Sequence, residues 1–455
     1  MTSPSRAPEA LTERDIFRFW APLAATWLMM SVEGPFVAAV VARLADPAYN
    51  LAAYGVALSL AMFVESPIVM ALSASTALVR DLESFRTLRR FVYFLNVAVT
   101  AAMLLLLVPP VFRWIAIDLV GLPEPVAKLT HLATAVLLPW PAAIGYRRFY
   151  QGVLVRRKLT RRVAYGTVVR LVSMAAIALL LGKLVPLPGV CIGAAALSAG
   201  VVLEAAATRW MARRAVNDLE DGPASPGAAA PRLTTRRVFW FYYPLALTSI
   251  LAFGINPLVS FFLGNGRLPI ESLAVLPVVL SLVFLFRSVG IAYQEVSIAL
   301  LGDGREHFRP LAGFAWKLGG LLTLGLAAVA FTPLGGIWFE RISGLSPELG
   351  RIAALPARIL TLLPALEVLL SLERGLLVHA HRTRRITWAT LLEVAVVVGV
   401  LLVGIAGLDL VGVVAAALGL LLGRVASTAF LAGPALRDPV AGVGRIEPDK
   451  GRFGS

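Results

Sequence analysis

Charge is scarce in this 455-residue chain. Asp, Glu, Lys and Arg together make up 15% of it, where a soluble domain carries about 25%. Cysteine is almost missing: Cys191 is the single one, which excludes an intrachain disulfide and argues against redox chemistry. His131 and His307 stand alone near the ends of apolar runs, and His379 and His381, two apart in a basic loop, read as solvated residues and not as metal ligands. No GxxxxGK[ST] run is present, so the chain has no P-loop of its own with which to hydrolyse ATP. The opening MTSPSRAPEALTERD is polar and lacks an apolar core before a cleavage site, so no signal peptide is expected. Serines such as those of ALSAST, 71–76, sit among small residues, a context that suits helix packing better than a hydrolase nucleophile.

What the chain has in abundance is hydrocarbon: 58% hydrophobic residues and a mean hydropathy of +0.80. Apolar runs of about 20 residues recur along its length, each long enough to cross about 30 Å of hydrocarbon. Only helices and closed barrels satisfy their backbone in lipid, and barrel-like alternation is missing, so the runs read as helices. About twelve spans are expected, near 16–41, 51–79, 91–116, 131–153, 164–184, 189–210, 238–262, 272–301, 313–338, 353–377, 386–406 and 410–432. Basic residues crowd the loops on one side, in VRDLESFRTLRR, VRRKLTRR, RWMARRAVND with PRLTTRR, and HAHRTRR. The opposite loops, such as ARLADPAYN, GLPEPVAK and GNGRLP, hold few. The positive-inside rule then places both termini and the 211–237 loop in the cytoplasm. The net charge of +15 reflects that topology, with membrane lipids as partners and no nucleic acid. The excess of arginine over lysine is associated with a GC-rich bacterial source, which makes the bacterial cytoplasmic membrane the expected location.

The segment DGPASPGAAAP, 221–231, is a linker by composition, and it separates two halves that repeat each other. FRFWAPLAAT (17–26) lies over FWFYYPLALT (239–248) at a constant shift of 222 positions. The same shift places Pro35 on Pro257, LAAYGVALSL (51–60) on LAVLPVVLSL (273–282) and STALVRD (75–81) on SIALLGD (297–303). After a shift of 223, TRR at 160–162 meets TRR at 383–385 and Gly152 meets Gly375. Six spans per half is an even number, so the halves share one orientation about an axis along the membrane normal. The expected organisation is a cytoplasmic tail (1–15), an N-lobe (16–210), a cytoplasmic linker (211–237), a C-lobe (238–432) and a second cytoplasmic tail (433–455).

FWAPLAATWLMM followed by VARLADPAYNLAAYGVALSL resembles the first two helices of MATE-type proteins. The six-plus-six parallel repeat is the plan of the MOP flippase superfamily to which those exporters belong. LAAYGVALSL with Phe63 and Pro67, and the phrase FWFYYPLAL, are similar to the progressive ankylosis (ANK) branch. The resemblance implies an all-α, V-shaped, alternating-access transporter. MATE members export organic cations against Na⁺ or H⁺, ANK-like members are associated with organic anions such as citrate and ATP, and other members flip lipid-linked sugars. One departure stands out: the MATE first-helix acid falls about one turn later, near Val37, so its role does not pass to Glu33.

Acids and bases inside apolar spans are costly, by roughly 2.5 kcal/mol or more on insertion scales, and mark functional sites. Glu33 stands in SVEGPFVAAV beside Gly34 and Pro35, where proline should bend the helix. Glu65, shortly before Pro67, has Arg287 as its repeat mate, and Arg170 has Glu393. Opposite charges at equivalent depths suggest pairs that meet across the cleft and act as a gate. Glu295, two turns from Arg287, is a further cleft candidate. Arg147 and Arg148 read as side chains that snorkel to phosphate headgroups, and Arg424 as an internal partner for an acid or carbonyl. Helix bends are expected at Pro35, Pro67 and Pro257.

The expectation is therefore an ion-gradient-driven exporter of small organic solutes, monomeric, with no cofactor and with H⁺ or Na⁺ as coupling ion. An organic-anion exporter and a lipid-linked saccharide flippase remain open, as does a static membrane scaffold or an intramembrane enzyme.

Overall fold

A computed structural model describes residues 11–157, 159–220, 233–302, 305–380, 382 and 384–437. The expected linker 221–231, most of both tails and His381 lie outside the described residues.

The chain folds into helices. The first apolar run forms α1 (Glu13–Ser31) and α2 (Glu33–Ala42), and the second forms α3 (Pro47–Glu65), a 3-10 turn at Ser66–Ile68 and α4 (Ala71–Leu78). Then come α5 (Leu82–Leu107), the short α6 (Pro109–Arg113), a π-helical turn at Trp114–Leu119, α7 (Glu124–Val136) and α8 (Trp140–Arg156). The N-lobe ends with α9 (Thr160–Leu184), α10 (Gly189–Met211) and α11 (Arg213–Glu220). The C-lobe follows the same order: α12 (Thr235–Gly264), α13 (Pro269–Ile291), α14 (Tyr293–Leu300), α15 (Phe308–Phe331), α16 (Leu334–Gly336) and a second π-helical turn at Ile337–Ile342. It closes with α17 (Pro347–Ile359), a 3-10 turn at Leu360–Leu362, α18 (Leu363–His379), α19 (Arg384–Leu401), a third π-helical turn at Leu402–Gly407 and α20 (Gly412–Arg437). The first two π-helical turns stand 223 positions apart, so there the repeat reaches down to a single turn; the third has no counterpart at the end of α9.

Local chemistry sets the ends and breaks. Asp81 begins α5 with a capping box, its side chain accepting from the Ser84 amide at 2.8 Å while Ser84 Oγ accepts from the Asp81 amide at 3.0 Å. The first run breaks at Val32, where Gly34 and Pro35 weaken the following turn. The second breaks between Glu65 and Met70, around Pro67, and its mate breaks at Ala292. At Pro257 the helix is not broken. The helix α12 runs uninterrupted through both Pro244 and Pro257, and Asn256 takes the place of the glycine that precedes Pro35.

Eleven helices are long and apolar enough to cross a membrane, among the described residues, against about twelve expected. The difference is the fourth segment, which is divided into two shorter helices, α7 and α8. Leu137, Leu138 and Pro139 divide it, and Arg147 and Arg148 lower its hydropathy. Close approach of helices is carried by glycine in both lobes. A methyl group on Gly152 would stand 2.5 Å from Ser75 Cβ and 2.6 Å from the Leu72 carbonyl, and one on its mate Gly375 would stand 2.6 Å from Ser297 Cβ.

Buried apolar side chains are arranged differently at the two ends. Toward the arginine-poor loops a single core joins both lobes, with Val37, Val41 and Leu60 of one packed together with Leu273, Val279 and Leu282 of the other. Toward the arginine-rich loops the core divides. One part gathers Ile68, Phe85, Phe149 and Tyr150 with Tyr242 from α12; the other gathers Tyr293, Leu311 and Leu372 with Ile16 from α1. The first helix of each lobe thus begins on the opposite lobe.

Candidate functional site

At the level where the common core divides, each lobe holds a buried network of charge. In the N-lobe, Glu33 at the start of α2 is ion-paired with Arg170 of α9. Arg170 Nε also lies 3.4 Å from Glu204 of α10, a residue with no exposed surface. Arg147 of α8, 4% exposed, donates to the same Glu204 oxygen, Nη1 to Oε2 at 2.6 Å, and Gln151 Nε2 donates to Glu204 Oε1 at 3.2 Å. Two arginines from different helices share one acid, which offsets the desolvation that an isolated charge would suffer here.

The C-lobe network shares one sign-exchanged position with it, Glu393 where the N-lobe has Arg170, and otherwise draws its charges from different positions. Arg287 of α13 donates from Nε and Nη2 to Glu367 Oε2 of α18, at 2.9 and 2.5 Å. Arg424 of α20 lies 3.4 Å from the same oxygen and 3.1 Å from Glu393 Oε1 of α19. This arrangement corrects the expected interlobe pairs. Arg287 does not pair with Glu65, nor Arg170 with Glu393; every one of these ion pairs closes within its own lobe. The repeat exchanges sign at Arg170 and Glu393 and at Glu65 and Arg287, and each lobe supplies its own counter-charges from positions whose mates are neutral.

Glu65 belongs to neither network. It ends α3, is 5% exposed, and its Oε2 is buried with no hydrogen-bond partner. Arg148, half-buried on α8, is the leading positive charge acting on it, followed by Arg147 and Arg170. Glu295 stands beyond the break at Ala292, exposed in the first turn of α14, and so does not share a helix with Arg287. Arg147 is not a snorkelling side chain, because Glu204 holds it inside the lobe. Sequence reading missed Glu204 altogether; the signal available was a lone acid in the apolar run GVVLEAAAT.

Two symmetric sets of hydrogen bonds tie the lobes together. At the arginine-poor end, Arg43, just past α2, donates from Nη2 to the carbonyls of Arg341 and Ile342 at 2.6 and 2.7 Å. Its repeat mate Asn265, just past α12, donates from Nδ2 to the carbonyls of Leu119 and Val120 at 3.1 and 3.3 Å. Both acceptor pairs end a π-helical turn, where carbonyls lack an intrahelical partner. A glycine with positive φ follows each pair, Gly121 at +76° directly after Val120 and Gly344 at +78° two residues after Ile342. A Cβ on either would crowd the donor, at 3.1 Å from Asn265 Oδ1 or from Arg43 Cγ. Deeper in, Trp20 Nε1 donates to the Val289 carbonyl at 3.2 Å and Tyr242 Oη to the Pro67 carbonyl at 2.7 Å. These donors are also repeat mates, and each satisfies a carbonyl freed at a helix break in the opposite lobe.

No family model and no curated protein matches the sequence. Solved structures do. An inward-facing multidrug resistance MATE family transporter of the MOP superfamily aligns with TM-score 0.67 at 13% identity, over 90% of this chain and 94% of that one. The chain has the MOP-transporter fold. The lipid II flippase MurJ, in an inward closed conformation, aligns with TM-score 0.67 at 11% identity over 90% and 86%. A MOP superfamily transporter from Pyrococcus furiosus, described as having a binding pocket of reversed polarity, aligns with TM-score 0.62 at 14% identity over 93% and 98%. With this MOP-type architecture, spans one and two face spans seven and eight, and the two charged networks flank the seam between the lobes.

Proposed function

We propose that this protein is a secondary transporter that carries a small organic solute between its two lobes by alternating access, with protons as the coupling ion. The arginine-rich end faces the cytoplasm in this reading, and the solute is exported. The observation that carries it is positional: the buried charges lie at the depth where one interlobe core becomes two. A static scaffold has no use for ionised groups at that depth, whereas a carrier needs its binding groups beside the boundary that opens and closes. The hydrogen bonds that join the lobes end on carbonyls at helix breaks and π-helical turns, contacts that separate without disrupting a helix.

Protons are favoured over Na⁺ by the donors present. Glu33 lies against Arg170, and Arg148, Arg147 and Arg170 all act on Glu65. Those positive charges repel a metal cation, while protonation of Glu33 releases its hold on Arg170 and protonation of Glu65 leaves the positive charge of Arg148 uncompensated, either of which changes what the site can bind. A second reading, transport of an organic anion, is favoured by Arg148, for which the described residues provide no ion-pair partner within 4 Å.

The test is flux in proteoliposomes. The purified protein is reconstituted with an imposed pH gradient and assayed for a cationic dye, citrate and a nucleotide, together with Glu65→Gln and Glu33→Gln. Gradient-driven movement of one class, lost in Glu65→Gln, is the expected result. Movement insensitive to both pH gradient and Glu65→Gln removes proton coupling, and no movement of any class under pH or Na⁺ gradients removes the transporter reading.

A further inference from the structure

Away from the seam between the lobes, the lateral face of the N-lobe carries a groove of about 560 Å³ between α5, α8 and α10. None of its lining belongs to the C-lobe. Its floor is made of small side chains, Ala142 and Ala143 of α8 with Ala205 and Ala206 of α10. Tyr146 and Trp210 flank it, and Arg209 and Arg213 close its arginine-rich end. No acidic residue lines it.

Dimensions and chemistry both point to one kind of ligand. From Val202 to Arg213 the groove follows α10 and the start of α11 over about 16 Å at 1.5 Å per residue, half of a hydrocarbon core of about 30 Å. It therefore runs the depth of a single leaflet, apolar below and cationic at the surface. Arg209 is held in place: its guanidinium sits 5.1 Å from the centre of the Tyr150 ring. Tyr150 in turn lies 3.1 Å, hydroxyl to hydroxyl, from Tyr93, against which Tyr146 stacks. So fixed, Arg209 keeps Nη1 buried with no hydrogen-bond partner, and at the deep end Asn96 Oδ1 is likewise unpartnered. A buried guanidinium N–H without an acceptor beside a second, exposed arginine calls for an anion. A smooth alanine floor one leaflet deep calls for an acyl chain.

We infer that this groove is a binding site for an anionic phospholipid of the leaflet at the arginine-rich end. The phosphate lies between Arg209 and Arg213, and one acyl chain lies along the alanine floor beside Trp210. The site is distinct from the path between the lobes and does not depend on what is transported.

Delipidated protein in detergent, titrated with phosphatidylglycerol or phosphatidylcholine and followed by native mass spectrometry, tests this. Phosphatidylglycerol is expected to bind about tenfold more tightly than phosphatidylcholine. Arg213→Ala, an exposed position, should remove most of that preference, as should Arg209→Ala. Ala206→Phe, also exposed, should block the floor and weaken both lipids, and Arg214→Ala, outside the groove, should change nothing. Equal binding of the two lipids, or full phosphatidylglycerol binding by both Arg213→Ala and Ala206→Phe in folded protein, overturns the proposal. Glycerol 3-phosphate, a headgroup without chains, should fail to compete; equal competition would make this a simple phosphate site and overturn the lipid assignment.

Discussion

Removing the arginine-poor latch should loosen the closed face by an amount that can be worked out from its bonds. Arg43 makes two hydrogen bonds to carbonyls of the opposite lobe but is exposed, so together they contribute about 1–2 kcal/mol. Asn265 is neutral and its two interlobe bonds are longer, so it contributes about 1 kcal/mol. The double variant Arg43→Ala with Asn265→Ala then loses about 2.7 kcal/mol, enough to take a population of about 99% latched to about half. Ser260, whose hydroxyl lies 3.3 Å from Ser59 across the lobes, reports the change. In a protein whose buried Cys191 is replaced by serine, Ser260→Cys should react slowly with a maleimide. The double latch variant should accelerate that reaction by about tenfold or more, and each single variant by less. An unchanged rate in double-variant protein that retains its thermal transition would show that these bonds do not hold the lobes together.

Three further expectations concern stability. Glu204→Gln leaves Arg147 and Arg170 short of a buried counter-charge and should cost about 3–5 kcal/mol; pairing it with Arg147→Met should recover part of the loss in a melting experiment. Gly152→Ala places a methyl group against the Leu72 carbonyl, which cannot yield as a side-chain end can, and should lower stability by about 1–3 kcal/mol. Asp81, outside the spans, has its carboxyl held below the usual carboxylate range chiefly by the Ser84 amide. Its cap therefore contributes fully above the ordinary carboxylate pKa and fades as pH falls through the lower, folded value. Asp81→Ala should cost about 1 kcal/mol at neutral pH and progressively less in acid, read as the difference between two melting curves.

The architecture was legible because it rests on apolar runs and a repeat, both of which survive in single residues. Pro35 over Pro257, and Glu65 over Arg287, located the right depth. The partners were not legible, because a repeat relates positions and says nothing of which helices pack against each. Glu65 and Arg287 looked like a pair only because their signs differ; in the fold Arg287 meets Glu367 on a helix 80 positions away. Glu204 escaped because Ser427, its mate, is neutral and its neighbours are alanines. The latch was within reach: Arg43 and Asn265 obey the 222-position shift, and Gly121 and Gly344 the 223-position one. What hid it was that their acceptors are backbone carbonyls, which no side-chain pattern displays.

The central claim is that the lobes move, and distances between spin labels test it most directly. One pair, on Tyr49 and Arg351, reports the arginine-poor end; the other, on Arg86 and Arg309, reports the arginine-rich end. Measured by double electron–electron resonance in nanodiscs, native and Glu65→Gln proteins across a range of pH should show two populations at each end. One pair should shorten as the other lengthens. A single distance at both ends, unchanged by pH and by Glu65→Gln, would contradict alternating access and leave a rigid membrane protein in its place.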